Sequence, residues 1–217
     1  MIRWTIAQAA EIRWWQRYLK NKNPSEYLGW KKAYWVKFCS DCGINCPPEA
    51  VCLDAGSSLA GIFTILNTQK VLAIDPLMDA YADKLPTFFE KSWYPNVQFA
   101  NQSLENLADT ALYDWVFCVN VVNHVKDIQL VISNLWAAVK PGGTLLVSVD
   151  AHNYSFFKHL FRLVPLDILH PHQYDVREYQ RMFAEICQLT TEEIHTQQLK
   201  NEFFFGYYVL TLKKPTQ

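Results

Sequence analysis

The feature that most constrains the fold is an alternation of short apolar runs with helix-forming segments between residues 50 and 150. The runs AVCLDAG (50–56), KVLAID (70–75) and DWVFCVNVV (114–122) are apolar continuously rather than at every second residue. Strands of this kind are buried on both faces of a parallel sheet, and the amphipathic segments between them form the helices that cover it. The pattern predicts an α/β fold, a doubly wound and mostly parallel sheet.

The other elements extend this pattern in both directions. Strands are also predicted at 96–100 and at 143–150, the latter after a turn at Pro141-Gly142-Gly143. Helices are predicted at 5–20, 25–39, 58–66, 76–85, 127–140, 151–164 and 175–189. The C-terminal stretches TTEEIHTQQ and EFFFGYYVLTLK are predicted strands, and their short connection favours an antiparallel pair at the sheet edge. Asp175 with Glu178 has the spacing of a capping box.

Composition excludes several classes of protein. The 217 residues carry 20 basic and 21 acidic side chains, and half are hydrophobic, so a disordered or fibrous chain is excluded. The near-zero net charge argues against a general nucleic-acid binder. No apolar run reaches the roughly 18 residues of a membrane span. The N-terminus lacks the features of a signal peptide, so we expect a cytoplasmic protein.

The first 50 residues form a basic, aromatic arm, with eight basic against four acidic side chains and five of the eight Trp. Tyr27, Trp30, Tyr34 and Phe38 share one helix face. Two interpretations stay open: the arm packs its rings on the core, or it also covers a ligand. On the second, Tyr27, Trp30 and Tyr34, with Tyr174, form the aromatic walls of an acceptor pocket.

Cysteine spacing gives a weak signal for a metal. Cys39, Cys42 and Cys46 form a C-x2-C-x3-C cluster, and Cys52 follows inside a predicted strand. A zinc site usually has four ligands, often in two separated pairs, and no second pair is evident. We therefore expect unpaired thiols and no metal.

Two carboxylates mark a candidate nucleoside site. Asp54 lies where the first predicted strand ends, and Gly56 allows the tight turn that follows. Asp75 ends the second strand nineteen residues after Gly56, at the position from which a carboxylate accepts both ribose hydroxyls of a nucleoside.

The segments VCLDAGSSLAG, VLAIDP, YDWVFCVNVVNHV and VKPGGTLLVSVD, in this order, resemble the class I S-adenosylmethionine-dependent methyltransferase family over residues 48–150. The resemblance implies a seven-stranded, Rossmann-like sheet with an antiparallel C-terminal edge strand. It implies one domain with a helical N-terminal cap (1–47), a cofactor-binding core (48–150), a helical lid (151–188) and a C-terminal β-hairpin (189–217).

The resemblance also assigns cofactor contacts. Asp54 and Gly56, with Ser58 in the turn, would hold the methionine part of S-adenosylmethionine, and Asp75 the ribose. Pro76 and Leu77 would flank adenine, and Ser103 and Leu104 would contact its amino edge. Asn120 and Val121 would line the methionine moiety.

Three departures from the family pattern concern the cofactor. Ser58 and Ala60 replace the second and third glycines of the first motif, and Ser103 stands where an Asp is usual. A degenerate dinucleotide fingerprint, G-x-S-x-x-G, keeps an NAD(P)-dependent oxidoreductase as an alternative. A methyltransferase-like protein that binds without turnover is a further alternative.

Histidines are the candidate general bases, because imidazole titrates near neutral pH. His124 follows the fourth core strand, and His170 and His172 flank Pro171 in the predicted lid. The expected activity is O- or N-methylation of a small molecule, with S-adenosylhomocysteine as product. We expect no nucleic-acid partner and a monomer or homodimer.

Overall fold

The structure, a computed structural model, describes residues 2–153 and 174–216, with side chains from residue 8 onward. Its centre is a seven-stranded sheet in the order β3-β2-β1-β4-β5-β7-β6. The strands are β1 (Val51–Ala55), β2 (Lys70–Asp75), β3 (Val97–Asn101), β4 (Tyr113–Val119), β5 (Val139–His152), β6 (Ile194–Asn201) and β7 (Phe205–Lys213). The first five strands pair in parallel, and β7 runs antiparallel between β5 and β6. The predicted doubly wound sheet with an antiparallel C-terminal pair is confirmed.

Five α-helices accompany the sheet in the described residues. They are α1 (Ile2–Leu19), α2 (Pro24–Asp41), α3 (Met78–Lys84), α4 (Ile128–Ala138) and α5 (Val176–Cys187). Most of the helix predicted at 151–164 lies outside the described residues. The first two residues of that range belong to the end of β5. None of the helices described is long and apolar enough to cross a membrane.

Two apolar cores lie against the sheet, one on each face. On one face, side chains of α4 and α5 such as Ile132, Leu135 and Phe183 pack against the strands. On the other, Trp35 and Phe38 of α2 belong to the same core as Tyr81 of α3. Tyr27, Trp35 and Phe38 of the aromatic arm therefore pack in the core, whereas Trp14 and Trp30 are exposed.

Side chains cap the starts of two helices. Asn23 caps α2, since its side-chain oxygen accepts from the amides of Ser25 and Glu26, and Pro24 occupies the first turn. In α5, Asp175 and Glu178 form the predicted capping box.

The helix predicted at 58–66 is wrong. Only a short 3-10 helix forms there, at Ile62–Ile65. The Phe63 amide donates to the Asp54 carboxylate at 3.0 Å instead of to a helical carbonyl. Ser58 has a φ of 54°, outside the helical region, and the Ala60 carbonyl accepts from the Trp35 indole at 2.9 Å. Side chains from other elements thus take the backbone groups that an α-helix would use.

The turn predicted at Pro141-Gly142-Gly143 falls inside β5 as an interruption of its pairing with β4. Gly142 has a φ of 76°, and its amide donates to Lys214 O at 2.9 Å. The Lys214 amide in turn donates to Gly143 O. Pairing with the chain just beyond β7 therefore holds an irregular segment of β5, which advances from Val139 to Thr144 while β4 advances from Tyr113 to Trp115.

Candidate active site

The two acidic residues predicted for the site lie at the carboxyl ends of β1 and β2, beside the point where the strand order reverses. Asp54 is 4% exposed and Asp75 is 7% exposed. Asp75 accepts hydrogen bonds from the amide of Leu77 at Oδ1 (2.8 Å) and from the amide of Ser58 at Oδ2 (3.0 Å). Open α/β sheets bind ligands at such a switch point, so the two carboxylates occupy the expected position for a binding site.

Burial raises the pKa of both carboxyl groups to about 7. For Asp54, the Phe63 amide opposes this shift, and the negative charge of Asp75 adds to it. For Asp75, the Leu77 amide opposes the shift and the charge of Glu11 adds to it. Each group therefore titrates close to neutral pH, and a ligand that donates hydrogen bonds would favour its ionised form.

The turn after β1 is shaped by two left-handed residues. Gly56 has a φ of 75°, and a Cβ at this position would lie 2.5 Å from both methyl groups of Val121. Ser58 follows with a φ of 54°, an uncommon conformation for a residue that has a side chain. The Ser58 hydroxyl is buried on the side of Tyr81 but makes no hydrogen bond of normal geometry. A close backbone approach and an orphaned hydroxyl thus adjoin the two carboxylates.

Gly61 has a separate role that the family pattern did not predict. A Cβ there would collide with the Asp54 carboxylate and lie 2.6 Å from the Ser57 carbonyl. Gly61 therefore does not open the turn in place of the missing glycines. Its lack of a side chain lets the 3-10 helix close onto Asp54.

The residues predicted to surround adenine lie next to Asp75. Leu77 is buried, Pro76 is half-buried, and both follow β2 directly. Ser103 directly precedes a 3-10 helix at Leu104–Asn106 beyond β3, and its side chain makes no capping hydrogen bond. The Leu104 carbonyl accepts from the Asn134 side chain of α4 at 3.0 Å, which fixes this loop.

The end of β4 carries the residues predicted to face the methionine moiety. Asn120 is exposed and has a φ of 57°. Its amide donates both to the Ser148 carbonyl (3.1 Å) and to the Ser148 hydroxyl (2.9 Å). His124 is exposed in the turn that follows, where its amide donates to Val121 O. The other two candidate bases, His170 and His172, lie outside the described residues.

The structure adds one residue that the sequence did not indicate. Glu11 of α1 accepts from the Tyr81 hydroxyl at 3.1 Å and from the Trp15 indole at 3.4 Å. Burial raises its pKa. The first helix therefore carries a carboxylate to the edge of the site, across a sequence separation of 70 residues.

Of the four predicted acceptor-wall aromatics, Tyr34 lines a cavity at the carboxyl end of β5. Trp30 lies beside it, with ring centres 6.2 Å apart, and is 54% exposed. Tyr27 lies in the core instead, packed edge-on against Phe88. Tyr174 packs edge-on against Tyr179 on the opposite core, at 5.4 Å.

The six cysteines are unpaired. Cys46 Sγ lies 3.4 Å from Cys52 Sγ. Among the residues that the structure describes, no group of three or more His, Cys, Asp and Glu side chains has the arrangement of a metal site.

The donor set fits an S-adenosyl nucleoside. Asp75 ends β2 with a buried carboxylate of the kind that binds a ribose diol, the turn at Gly56 leaves room for a close-lying ligand, and the Ser58 hydroxyl lacks a partner. A parallel sheet with such a site at its switch point defines the class of nucleoside-binding α/β proteins.

Comparison with known proteins narrows this class. The family described as "Methyltransferase domain" matches residues 27–196, more than half of the chain. The chain belongs to this family, the class I S-adenosylmethionine-dependent methyltransferases.

Curated relatives match part of the chain. A ubiquinone biosynthesis O-methyltransferase of Rickettsia canadensis is 33% identical over 98 residues, which cover 44% of this chain and 41% of the relative. A protein of the same name from Coxiella burnetii is 30% identical over 120 residues, covering 50% of this chain and 51% of the relative. The matches thus span about half or less of these relatives.

Solved structures agree in fold. The YcgJ protein of Bacillus subtilis superposes with a TM-score of 0.66 at 14% identity, covering 85% of this chain and all of its own. A Burkholderia thailandensis 1,6-didemethyltoxoflavin-N1-methyltransferase, solved with bound 1,6-didemethyltoxoflavin and S-adenosylhomocysteine, superposes with a TM-score of 0.62 at 14% identity. It covers 99% of this chain and 87% of its own.

Proposed function

We propose that this chain transfers a methyl group from S-adenosylmethionine to an oxygen or nitrogen of a small molecule. The observation that carries the proposal is the pair of buried carboxylates, Asp54 and Asp75, that flank the tight turn at Gly56. Bound S-adenosylmethionine would supply an electrophilic methyl group on a positively charged sulfur.

The chain's own residues would bind and orient the cofactor. The amides of Ser58 and Leu77 hold the Asp75 carboxylate by one hydrogen bond to each oxygen. Each oxygen keeps a lone pair for a ribose hydroxyl. Asp54 would hold the amino group of the methionine moiety, and its buried charge would be offset by that ammonium.

The contacts to the two ends of the cofactor come from the neighbouring loops. Pro76, Leu77, Ser103 and Leu104 would enclose adenine. Asn120 and Val121, at the end of β4, would border the methionine moiety. With the methyl group held in line between sulfur and acceptor and water excluded, positioning contributes several kcal/mol to the rate.

A general base would assist when the acceptor loses a proton. Of the three predicted histidines, His124 lies within the residues that the structure describes. It is in the turn after β4, beside Val121. His170 and His172 remain predictions. General-base assistance contributes about 10²–10⁴-fold.

The relatives support a small acceptor. The Rickettsia and Coxiella proteins are ubiquinone biosynthesis O-methyltransferases by name, and the Burkholderia structure holds 1,6-didemethyltoxoflavin. The first two favour oxygen as the acceptor atom, and the third favours nitrogen.

The test is isothermal calorimetry on the full chain with S-adenosylmethionine, S-adenosylhomocysteine and NADPH. We expect both S-adenosyl compounds to bind and NADPH not to bind. The opposite result would establish the oxidoreductase alternative. Mass spectrometry of co-purified small molecules would supply acceptor candidates. Cofactor binding without methyl transfer to those candidates would favour the non-catalytic alternative.

A further inference from the structure

A cavity of about 430 Å³ lies between α2, β7 and the carboxyl end of β5. Four aromatic side chains line it, two from α2 and two from β7: Tyr34, Phe38, Phe205 and Tyr207. Its volume lies within the range of small-molecule sites, about 300–1,000 Å³. Aromatic walls bind flat rings by stacked and edge-on contacts, so the shape and lining favour a planar ligand.

A chain of hydrogen bonds connects this cavity to the end of β4. The Asn120 amide donates to the Ser148 hydroxyl at 2.9 Å, and Ser148 Oγ lies 2.7 Å from the Tyr207 hydroxyl. Tyr207 lies on the cavity lining together with Tyr34. The cavity is therefore in direct structural contact with the turn that would border the methyl donor.

The two tyrosines bring hydroxyl groups to the cavity. Ser148 Oγ accepts from Asn120 N–H, and either Ser148 or Tyr207 donates in the bond between their hydroxyls. Tyr34 and Tyr207 both line the cavity, so each hydroxyl can donate to a group bound there. Burial is the main cause that raises the pKa of Tyr207 and of Tyr34.

The charged residues around the cavity form ion pairs with one another. Lys37 pairs with Asp41 at 2.8 Å, and Lys200 pairs with Glu202. Asp150, opposite Tyr207 in the β5–β7 register, adds to the raised pKa of both tyrosines. Tyr34 and Tyr207 therefore stay protonated at neutral pH and act as donors rather than bases.

We propose that this cavity is the acceptor site and takes a planar aromatic molecule whose oxygen accepts a hydrogen bond from the Tyr34 hydroxyl. The oxygen is a phenol, carbonyl or carboxylate oxygen. Its role as the acceptor site rests on the proposed methyltransferase function. The aromatic lining and the Tyr34 hydroxyl set the ligand class independently of that function.

The test compares two fluorinated probes by ¹⁹F NMR titration of the full chain in the presence of S-adenosylhomocysteine. The first, 6-fluoro-2-naphthol, carries a ring and an oxygen, and the second, 2-fluoronaphthalene, carries the ring alone. We expect the naphthol to bind more tightly. Tyr34→Phe should weaken the naphthol about threefold or more and leave 2-fluoronaphthalene within about twofold, as expected for one hydrogen bond.

A double variant tests whether Tyr207 takes over the hydrogen bond to the ligand when Tyr34 is replaced. In Tyr34→Phe, Tyr207 can donate to the ligand instead, so Tyr34→Phe/Tyr207→Phe should weaken the naphthol about tenfold and remove the preference for oxygen. Tyr208→Phe is the matched control, since Tyr208 is the next residue of β7 and packs on the opposite core. It should change neither affinity.

Three outcomes would overturn the proposal: neither probe binds, the double variant leaves the preference for the naphthol intact, or it weakens both probes equally. Calorimetry with S-adenosylhomocysteine tests the methyltransferase function separately from the ligand class of the cavity. If the probes bind in the expected pattern and S-adenosylhomocysteine does not bind, the methyltransferase function fails while the ligand class of the cavity stands.

Discussion

A 3.0 Å hydrogen bond joins the Ser58 amide to Asp75 Oδ2, so the turn that follows β1 is tied to the carboxylate that ends β2. Ser58 reaches this position by adopting a left-handed conformation where the family pattern has a glycine. The bond offsets part of the cost of that conformation. The departure from the glycine pattern is thus compatible with a formed site, because Asp75 orients both the turn and the expected ribose.

Replacing Asp75 by Asn should weaken S-adenosylhomocysteine binding about tenfold or more. Hydrogen bonds to a charged group contribute about 1.5–3 kcal/mol, and the amide of Asn can accept at only one atom. Calorimetry measures the change. Asp79→Asn is the control, since Asp79 lies nearby on α3 in an exposed ion pair with Lys91. An unchanged affinity in Asp75→Asn would exclude Asp75 as the ribose ligand.

Binding of S-adenosylhomocysteine should weaken as the pH falls below about 7. The pKa of Asp75 is raised to about 7 in the free protein, and the ribose requires the ionised carboxylate. Because Glu11 adds to that raised pKa, Glu11→Gln should move the midpoint of the pH profile to lower pH. Calorimetry between pH 5.5 and 8, about the range of the transition, measures it. Glu26→Gln, at the exposed start of α2, should not move the midpoint.

The buried carboxyl groups of Asp54 and Asp75 should make the ligand-free protein more stable at pH 6 than at pH 8. The folded-state pKa of Asp54 is about 7, well above the unfolded value of about 3.9. The stability that Asp54 contributes to the folded protein is therefore complete below the unfolded pKa and is lost as the pH rises through the folded pKa. A thermal melt at each pH should show a loss of several °C on going from pH 6 to 8, at roughly 2–4 °C per kcal/mol. Asp54→Asn should flatten this dependence, and an equal slope in the variant would contradict the assignment.

The sheet could be predicted from the sequence because burial on both faces leaves a continuous apolar pattern in each strand. The start of α5 could be predicted because a capping box acts within four residues. The 3-10 helix at Ile62–Ile65 could not, since the Phe63 amide is taken by a side chain nine residues earlier in the chain. Pairwise contacts of that kind leave no periodic signal.

Long-range contacts limited the prediction of the site in the same way. The carboxylates at the strand ends follow from topology and could be assigned before the structure. Glu11 could not, because its role depends on how α1 crosses α3. Tyr34 could be predicted as a pocket residue from its aromatic helix face. Tyr207, which lines the same cavity, could not, because it lies on a strand 173 residues later.

Replacing Asn120 by Gly should stabilise the protein by a few tenths to 1 kcal/mol and should alter binding of S-adenosylhomocysteine. Asn120 has a φ of 57°, a conformation that glycine adopts without strain. Gln188, at the end of α5, has a φ of 55° and provides the matched control. Gln188→Gly should give a similar rise in stability in urea unfolding with no change in binding. If both variants bind equally well, the Asn120 side chain makes no contact with the cofactor.

Replacing Gly56 by Ala should destabilise the protein by about 1–3 kcal/mol and weaken cofactor binding. The new Cβ would lie 2.5 Å from both Val121 methyl groups, and the φ of 75° strains any residue that has a side chain. Val121→Ala in the same chain removes the methyl groups but leaves the strained φ. The double variant should therefore recover part of the loss, and urea unfolding of the four proteins measures this coupling. Gly29→Ala is the control, because its Cβ would meet no atom within 4 Å inside α2, so it should stabilise the chain by about 0.5–1 kcal/mol. Strict additivity of Gly56→Ala and Val121→Ala would show that backbone strain alone, rather than the approach of β4 to the turn, requires a glycine at position 56.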